Sequence, residues 1–301
     1  MATHVKPRED APRLERSTPA APRARRPVPW SAIVRHAVLI LFSLAIILPL
    51  VWVLILSVKS LPDAYTNRIW PQHFDFSHYG YALQHIPTLP RNILNSVIVT
   101  TATVVITTIA AVLAGYALVH LSTPGRAVVL GLLVASMFFP TRVTALIAIW
   151  EIQKNLDLLN TTWGLIFPYA TLSLALSVFI MRGIFETIPR ELADAARIDG
   201  ANAWTMLWRV MLPLVRNGIV VVIIVNFVTA WGEYLLATTL TNDQEVRTLP
   251  VVLASASGGM GAWAWPRIAA VYVMAITPGL VAFAIAQRWY MRGLQEGALK
   301  T

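Results

Sequence analysis

The sequence predicts an all-α membrane protein with six transmembrane helices, and three observations carry that prediction. First, 56% of the 301 residues are hydrophobic and only 13% are charged, about half the charge of an ordinary soluble domain. Mean hydropathy is +0.62, and a water-soluble chain could not hide so much apolar surface. Second, six apolar stretches are each long enough to cross a hydrocarbon core of ~30 Å as a helix of roughly 20 residues. Third, the connecting segments sort by charge: 17 of the 24 Lys and Arg residues fall on the faces joined to the N-terminus by an even number of crossings. By the positive-inside rule both termini and the 182–216 segment are then cytoplasmic. The net charge of +9 therefore serves orientation, and nucleic acid is not expected as a partner. With no cysteine in the chain, disulfide frameworks, thiolate metal sites and thiol nucleophiles are excluded.

Taken in order, residues 1–32 are rich in Pro, Ala and Arg without apolar periodicity and read as a disordered basic cytoplasmic arm. The six-span body is expected over 33–301. Its spans are expected near Ala37–Val58, Ser96–Val119, Ala127–Trp150, Trp163–Met181, Gly218–Leu240 and Ile268–Tyr290. Such runs must be helical, because only a helix satisfies its own backbone groups in lipid. Pro49, Pro140, Pro168 and Pro278 lie inside spans and should kink them. Between the first two spans, four prolines and six aromatic residues from Lys59 to Asn95 suggest an ordered cap at the membrane surface. Its histidines, His73, His78 and His85, read as surface residues, since no carboxylate cluster accompanies them and a metal site is not expected.

The segment 182–216 carries the most information. Pro189 suits a helix's first turn, and Glu191 and Asp194 follow where carboxylates favour the positive end of the dipole. Leu192, Ala195, Ala196 and Asp199 form a narrow face of mostly small residues, and Gly200 stops the helix. A second short helix is expected through Trp204, Leu207, Trp208 and Met211, ending before Pro213, with its tryptophans bracing the hairpin from behind. On these residues alone, a rigid lever and an amphipathic hairpin resting in the lipid interface are both open. A DNA-binding helix-turn-helix is disfavoured, because five arginines meet four acids and no basic face is left for phosphates.

Asp194-Ala-Ala, then Gly200, then Val210 and Leu212-Pro213, resembles the E-A-A-x3-G-x9-I-x-L-P signature of ABC importer permeases. Asp194 and Val210 depart from the pattern conservatively. Further blocks, Leu158–Tyr169, Glu191–Asn202, Trp231–Leu236, Arg247–Pro250 and Arg292–Lys300, resemble the carbohydrate-uptake branch and its MalG-like subunits. The resemblance implies the type I importer permease fold in a bacterial inner membrane. It also implies a homologous second permease, two ATPase subunits that carry ATP and Mg, and an extracytoplasmic sugar-binding protein. Glu191, Asp194, Ala195, Ala196, Gly200, Leu212 and Pro213 would form or support the element that docks on the ATPase.

No G-x-x-x-x-G-K-[ST] loop exists, so this chain should bind no nucleotide or other cofactor itself, and no catalytic residue can be nominated. Arg142 and Glu233 are ionisable groups within or at the edge of spans. They form a structural ion pair, snorkel to the interface, or line a passage together with Asn226 and Trp231. The outer loop 241–267 ends in a glycine-rich tip, Gly258 and Gly259, near Trp263 and Trp265. That tip either enters a cleft on the binding protein or forms part of an interfacial tryptophan belt. The rival reading is a secondary transporter working without an ATPase; it needs ion-coupling carboxylates in matched broken helices, and Glu233 is the one acidic candidate.

Overall fold

A computed structural model describes residues 30–122, 124–138, 141–258 and 263–298, and these are helical almost throughout. The arm before residue 30, Pro140 and Gly259 lie outside the described residues. The chain divides into two compact units, 1–49 and 50–301. Helix α1 (Trp30–Ser57) begins in the first unit with described side chains that are exposed, a row of Leu, Ile, Val and Phe suited to lipid.

In the second unit, α2 (Leu61–Ala64) and α3 (Ser77–His85) build the expected cap. The long helices α4 (Leu89–His120) and α7 (Thr162–Glu186) pack along one another. Close approach is set by Gly115, where an added Cβ would lie 2.9 Å from the Cβ of Met181. Small residues at such a crossing let two helices exchange dispersion contacts that lipid tails would otherwise supply. Helix α10 (Leu212–Trp231) packs on both, and α13 (Trp265–Ala298) packs on α10 and α3. Asn226 of α10 and Ser177 of α7 are both buried and hydrogen-bonded, with the Asn226 amide donating to the Ser177 hydroxyl at 2.9 Å.

Along the third apolar stretch, α5 (Arg126–Phe138) and α6 (Thr141–Asn155) are described on either side of residues 139–140, and among the described residues five helices are individually long and apolar enough to span. Two of the expected elements differ. The fifth stretch ends early, at Trp231, and resumes as α11 (Leu235–Leu240).

The second hairpin helix does not stop before Pro213. Helix α9 (Ala203–Thr205) runs through a π-helical turn, Met206–Met211, directly into α10. In that turn the Leu212 N–H bonds to the Leu207 carbonyl, five residues back. The extra residue shifts the carbonyl that a proline ring would strike in a regular helix, so Pro213 is accommodated without a break.

Candidate functional site

The hairpin is built from its termini inward. Pro189, extended at ψ 135°, precedes α8 (Arg190–Ile198), and Glu191 occupies its first turn. Gly200 adopts φ +80°, the left-handed conformation that glycine takes without Cβ strain, and the Asn202 side chain accepts the Thr205 N–H at 2.8 Å to start the return helix. Sequence reasoning placed both the glycine stop and the reversal correctly.

Helix α8 divides into an inward and an outward side. Ala193 and Ala196 are the buried pair, set against Leu207 and Met211 of the π-helical turn. Of the small-residue face Leu192, Ala195, Ala196 and Asp199, Ala196 is turned inward and the other three are exposed. Ala193 and Ala196 thus serve packing within the chain, whereas Ala195 is left outside. The outward face holds Glu191, Leu192, Asp194 and Ile198, the last 87% exposed. Trp204 and Trp208 likewise face outward, with ring centroids 5.5 Å apart, while Leu207 and Met211 fill the core. Leu212 packs partly buried against that core and Pro213 is exposed.

Two polar ties fasten the hairpin to the long helices. The Arg197 guanidinium donates to the His120 carbonyl at 3.0 Å, closing the carboxyl end of α4, and to Asp194 at 3.1 Å. The Tyr116 hydroxyl donates to the Ala203 carbonyl at 3.1 Å. Beside them Glu186 takes Arg182 at 2.7 Å and Arg126 at 3.7 Å. Arg197 and Tyr116 escaped sequence reasoning, since neither the spacing nor the residue type distinguishes them from ordinary surface and core residues.

Intramembrane polar residues are spent inside the chain. Asn226 bonds Ser177 and its own helix, and the Glu233 carboxylate accepts the Leu236 and Ala237 N–H groups at 3.1 Å, neutralising the amino end of α11. Both are buried within the chain. Trp231 stacks on Phe227 at 5.7 Å and its indole nitrogen lies against Gly279 of α13. Arg142 opens α6, and its side chain lies outside the described residues.

At the opposite end of the bundle, the turn 242–248 is held by three asparagines that sequence reasoning missed. The Asn92 amide donates to the carbonyls of Gln244 and Arg247 at 2.7 and 2.8 Å. The Asn95 amide donates to the Glu245 carbonyl at 2.7 Å, and Asn160 accepts the Asn242 N–H at 2.6 Å. Asn92 and Asn95, one turn apart in an otherwise apolar helix, were the available signal. The turn leads into α12 (Leu249–Gly258), whose Leu249 N–H is accepted by the buried Ser96 hydroxyl at 2.8 Å. Tyr81 stacks on His85 at 3.7 Å and carries the Arg267 guanidinium at 3.6 Å, one on each face, with Trp263 edge-on at 5.2 Å. Trp265 opens α13, exposed.

In the cap, His78 is buried rather than on the surface, its Nε2 donating to the Lys59 carbonyl at 2.7 Å. Lys59 is fully buried, donating to the Arg68 carbonyl and lying over the Trp52 ring. The Asp63 carboxyl is held below the ordinary carboxylate range, chiefly by the Gln72 N–H, with help from the Thr66 hydroxyl and the Lys59 and Arg68 charges.

The fold is a bundle containing several membrane-length helices, with a rigid hairpin at one end. The chain belongs to the family of binding-protein-dependent transport system inner membrane components, whose model matches residues 106–295. Its relatives include the sulfoquinovosyl glycerol transport permease SmoH of Agrobacterium fabrum, 36% identical over 84% of this chain and 88% of that protein. The diacetylchitobiose uptake permease NgcG of Streptomyces coelicolor is 30% identical over 89% of each. Among solved structures, a bacterial ABC transporter that imports the acidic polysaccharide alginate superposes with a TM-score of 0.74 at 26% identity, covering 91% of this chain and all of that one. The protein is thus a multi-pass inner-membrane permease of the ABC importer type.

Proposed function

We propose that this chain is one of two permease subunits of an ATP-driven sugar importer and transmits ATPase closure to the passage. The observation that carries the coupling role is the division of α8: its back is fixed to the long helices by Ala193, Ala196 and Arg197, while Glu191, Leu192, Asp194 and Ile198 face outward. A force applied to that outward face passes through the π-helical turn into α10 without a flexible joint, as a two-state lever requires. The ATPase partner, carrying ATP and Mg, meets Glu191, Asp194, Ala195 and Gly200; Ala196, Leu212 and Pro213 support them from behind. Closure of two such ATPases drives both permeases outward-open, and hydrolysis resets them. The glycoside cargoes named for SmoH and NgcG support a carbohydrate here. A binding protein delivers it to the end of the bundle that carries the 242–248 turn, where the tip at Gly258 and Gly259 and the nearby Trp263 and Trp265 meet it.

The test is uptake and ATPase activity of the assembled complex carrying Gly200→Val or Asp194→Arg. An added Cβ at residue 200 meets no atom within 4 Å, so the glycine's loss costs only left-handed strain, about 1–2 kcal/mol, with more for a β-branched side chain. Loss of binding-protein-stimulated ATPase activity is expected in both variants. Normal uptake by an intact variant complex, or uptake by this chain alone in liposomes, overturns the reading.

A further inference from the structure

Beside the 242–248 turn lies a cavity of about 260 Å³ lined by His85, Thr88, Gln244, Arg247, Val252 and Ser255. Its walls are unusually well fixed. Asn92 and Asn95 clamp the carbonyls of residues 244, 245 and 247 from α4. His85 is braced against Tyr81, and Ser255 is tied to the Val252 carbonyl at 2.8 Å.

The charges around it are unevenly satisfied. Arg91 is paired with Glu245 at 2.6 Å, and Arg267 rests on the Tyr81 ring. Arg247 donates one Nη to the Asn242 carbonyl at 3.3 Å, but among the described residues it forms no ion pair, and its other Nη N–H groups have no protein acceptor. A guanidinium held in a fixed wall with unused donors is matched to one chemistry above others, a carboxylate taken through paired N–H groups. Thr88, which opens the 32-residue helix α4, adds an uncharged hydroxyl at the rim.

We propose that this cavity receives an Asp or Glu side chain of the binding protein and is an anchor that seats it on this subunit. The inference rests on the importer reading. A side chain rather than a free solute is favoured because the cavity lies at the base of the 255–265 loop proposed to meet that protein. Its single cation would also fix the orientation of a docked protein. Charge pairs of this kind govern register and association rate as well as affinity.

The experiment measures the affinity of labelled binding protein for the complete transporter in nanodiscs, comparing wild type with Arg247→Gln, Arg247→Glu and Arg247→Lys. Melting temperature reports on folding. Arg247→Gln should weaken the wild-type affinity about tenfold and reduce its salt dependence. Arg247→Glu should weaken it further, and Arg247→Lys should recover part of the loss. A charge-reversal scan of the binding protein's acidic residues should find one Lys substitution that restores binding to Arg247→Glu. Wild-type affinity in a folded Arg247→Gln complex overturns the proposal. So does unchanged partner affinity accompanied by selective loss of uptake of acidic sugars, which would make the cavity a cargo site. Failure of the importer reading is distinct: no binding protein would then stimulate even the wild-type complex.

Discussion

Asp63 shows how a single side chain can organise a surface element. Its carboxylate gathers the Gln72 N–H at 3.0 Å and the Thr66 hydroxyl, with Lys59 and Arg68 nearby. Because the folded pKa lies below the ordinary 3.8, the ionised form is the one the fold prefers. That contribution is complete above the unfolded-state value and is lost as pH falls from there through the folded value. Proteolysis of the 59–88 cap should therefore accelerate below about pH 4 in the wild type, whereas Asp63→Asn should be cut readily at neutral pH and respond little to acid. A wild-type cap equally resistant across that range would show that the carboxylate does not hold it. Asp75 adds to the same trend, its pKa lowered by the Ser77 hydroxyl and N–H.

Among the elements, α4 and α7 set the geometry on which the hairpin depends. At Gly115 an added methyl would meet the Met181 Cβ and the backbone of Arg182, neither of which can rotate away. Gly115→Val should cost about 1–3 kcal/mol by overpacking, read as a lower melting temperature in detergent, and it should displace the Tyr116 and Arg197 ties as α4 moves. A variant as stable as the wild type would mean that the crossing has slack. Element types were legible in the sequence because long apolar runs admit only helices in lipid. Phase was not. Ala193, Ala195 and Ala196 are chemically alike, and which of them face inward depends on where Leu207 and Met211 lie, a tertiary fact. The passage of the helix through Pro213 was hidden for a similar reason, since a proline normally ends a helix and only the π-helical turn permits continuation. The capping bonds that Glu233 accepts from Leu236 and Ala237 depend on the interruption at residues 232–234, which no periodicity announced.

For the whole molecule, charge alone sets the expected orientation, and the chain offers a clean way to check it. With no native cysteine, single substitutions report position without background. Phe74→Cys and Ile198→Cys replace side chains that are 68% and 87% exposed. In cells stripped of their wall and producing this chain without partners, an impermeant maleimide should label Phe74→Cys directly and Ile198→Cys only after permeabilisation. The reverse pattern would invert the topology. The candidate site was legible in part: Gly200 and the outward carboxylates could be read from a motif, whereas Arg247 and its asparagine clamps could not, because they join residues about 150 positions apart.

That separation bears on how the protein is made. Asn92 and Asn95 are synthesised some 150 residues before the carbonyls they bind, a delay of about 8–30 s at ordinary ribosomal speeds of roughly 5–20 residues per second. Throughout it their amides must be carried by water at the membrane edge. The end of the bundle that carries the 242–248 turn is consequently the last part to be sealed during biogenesis, and a chain truncated before residue 247 would expose that unfinished end to quality-control proteases.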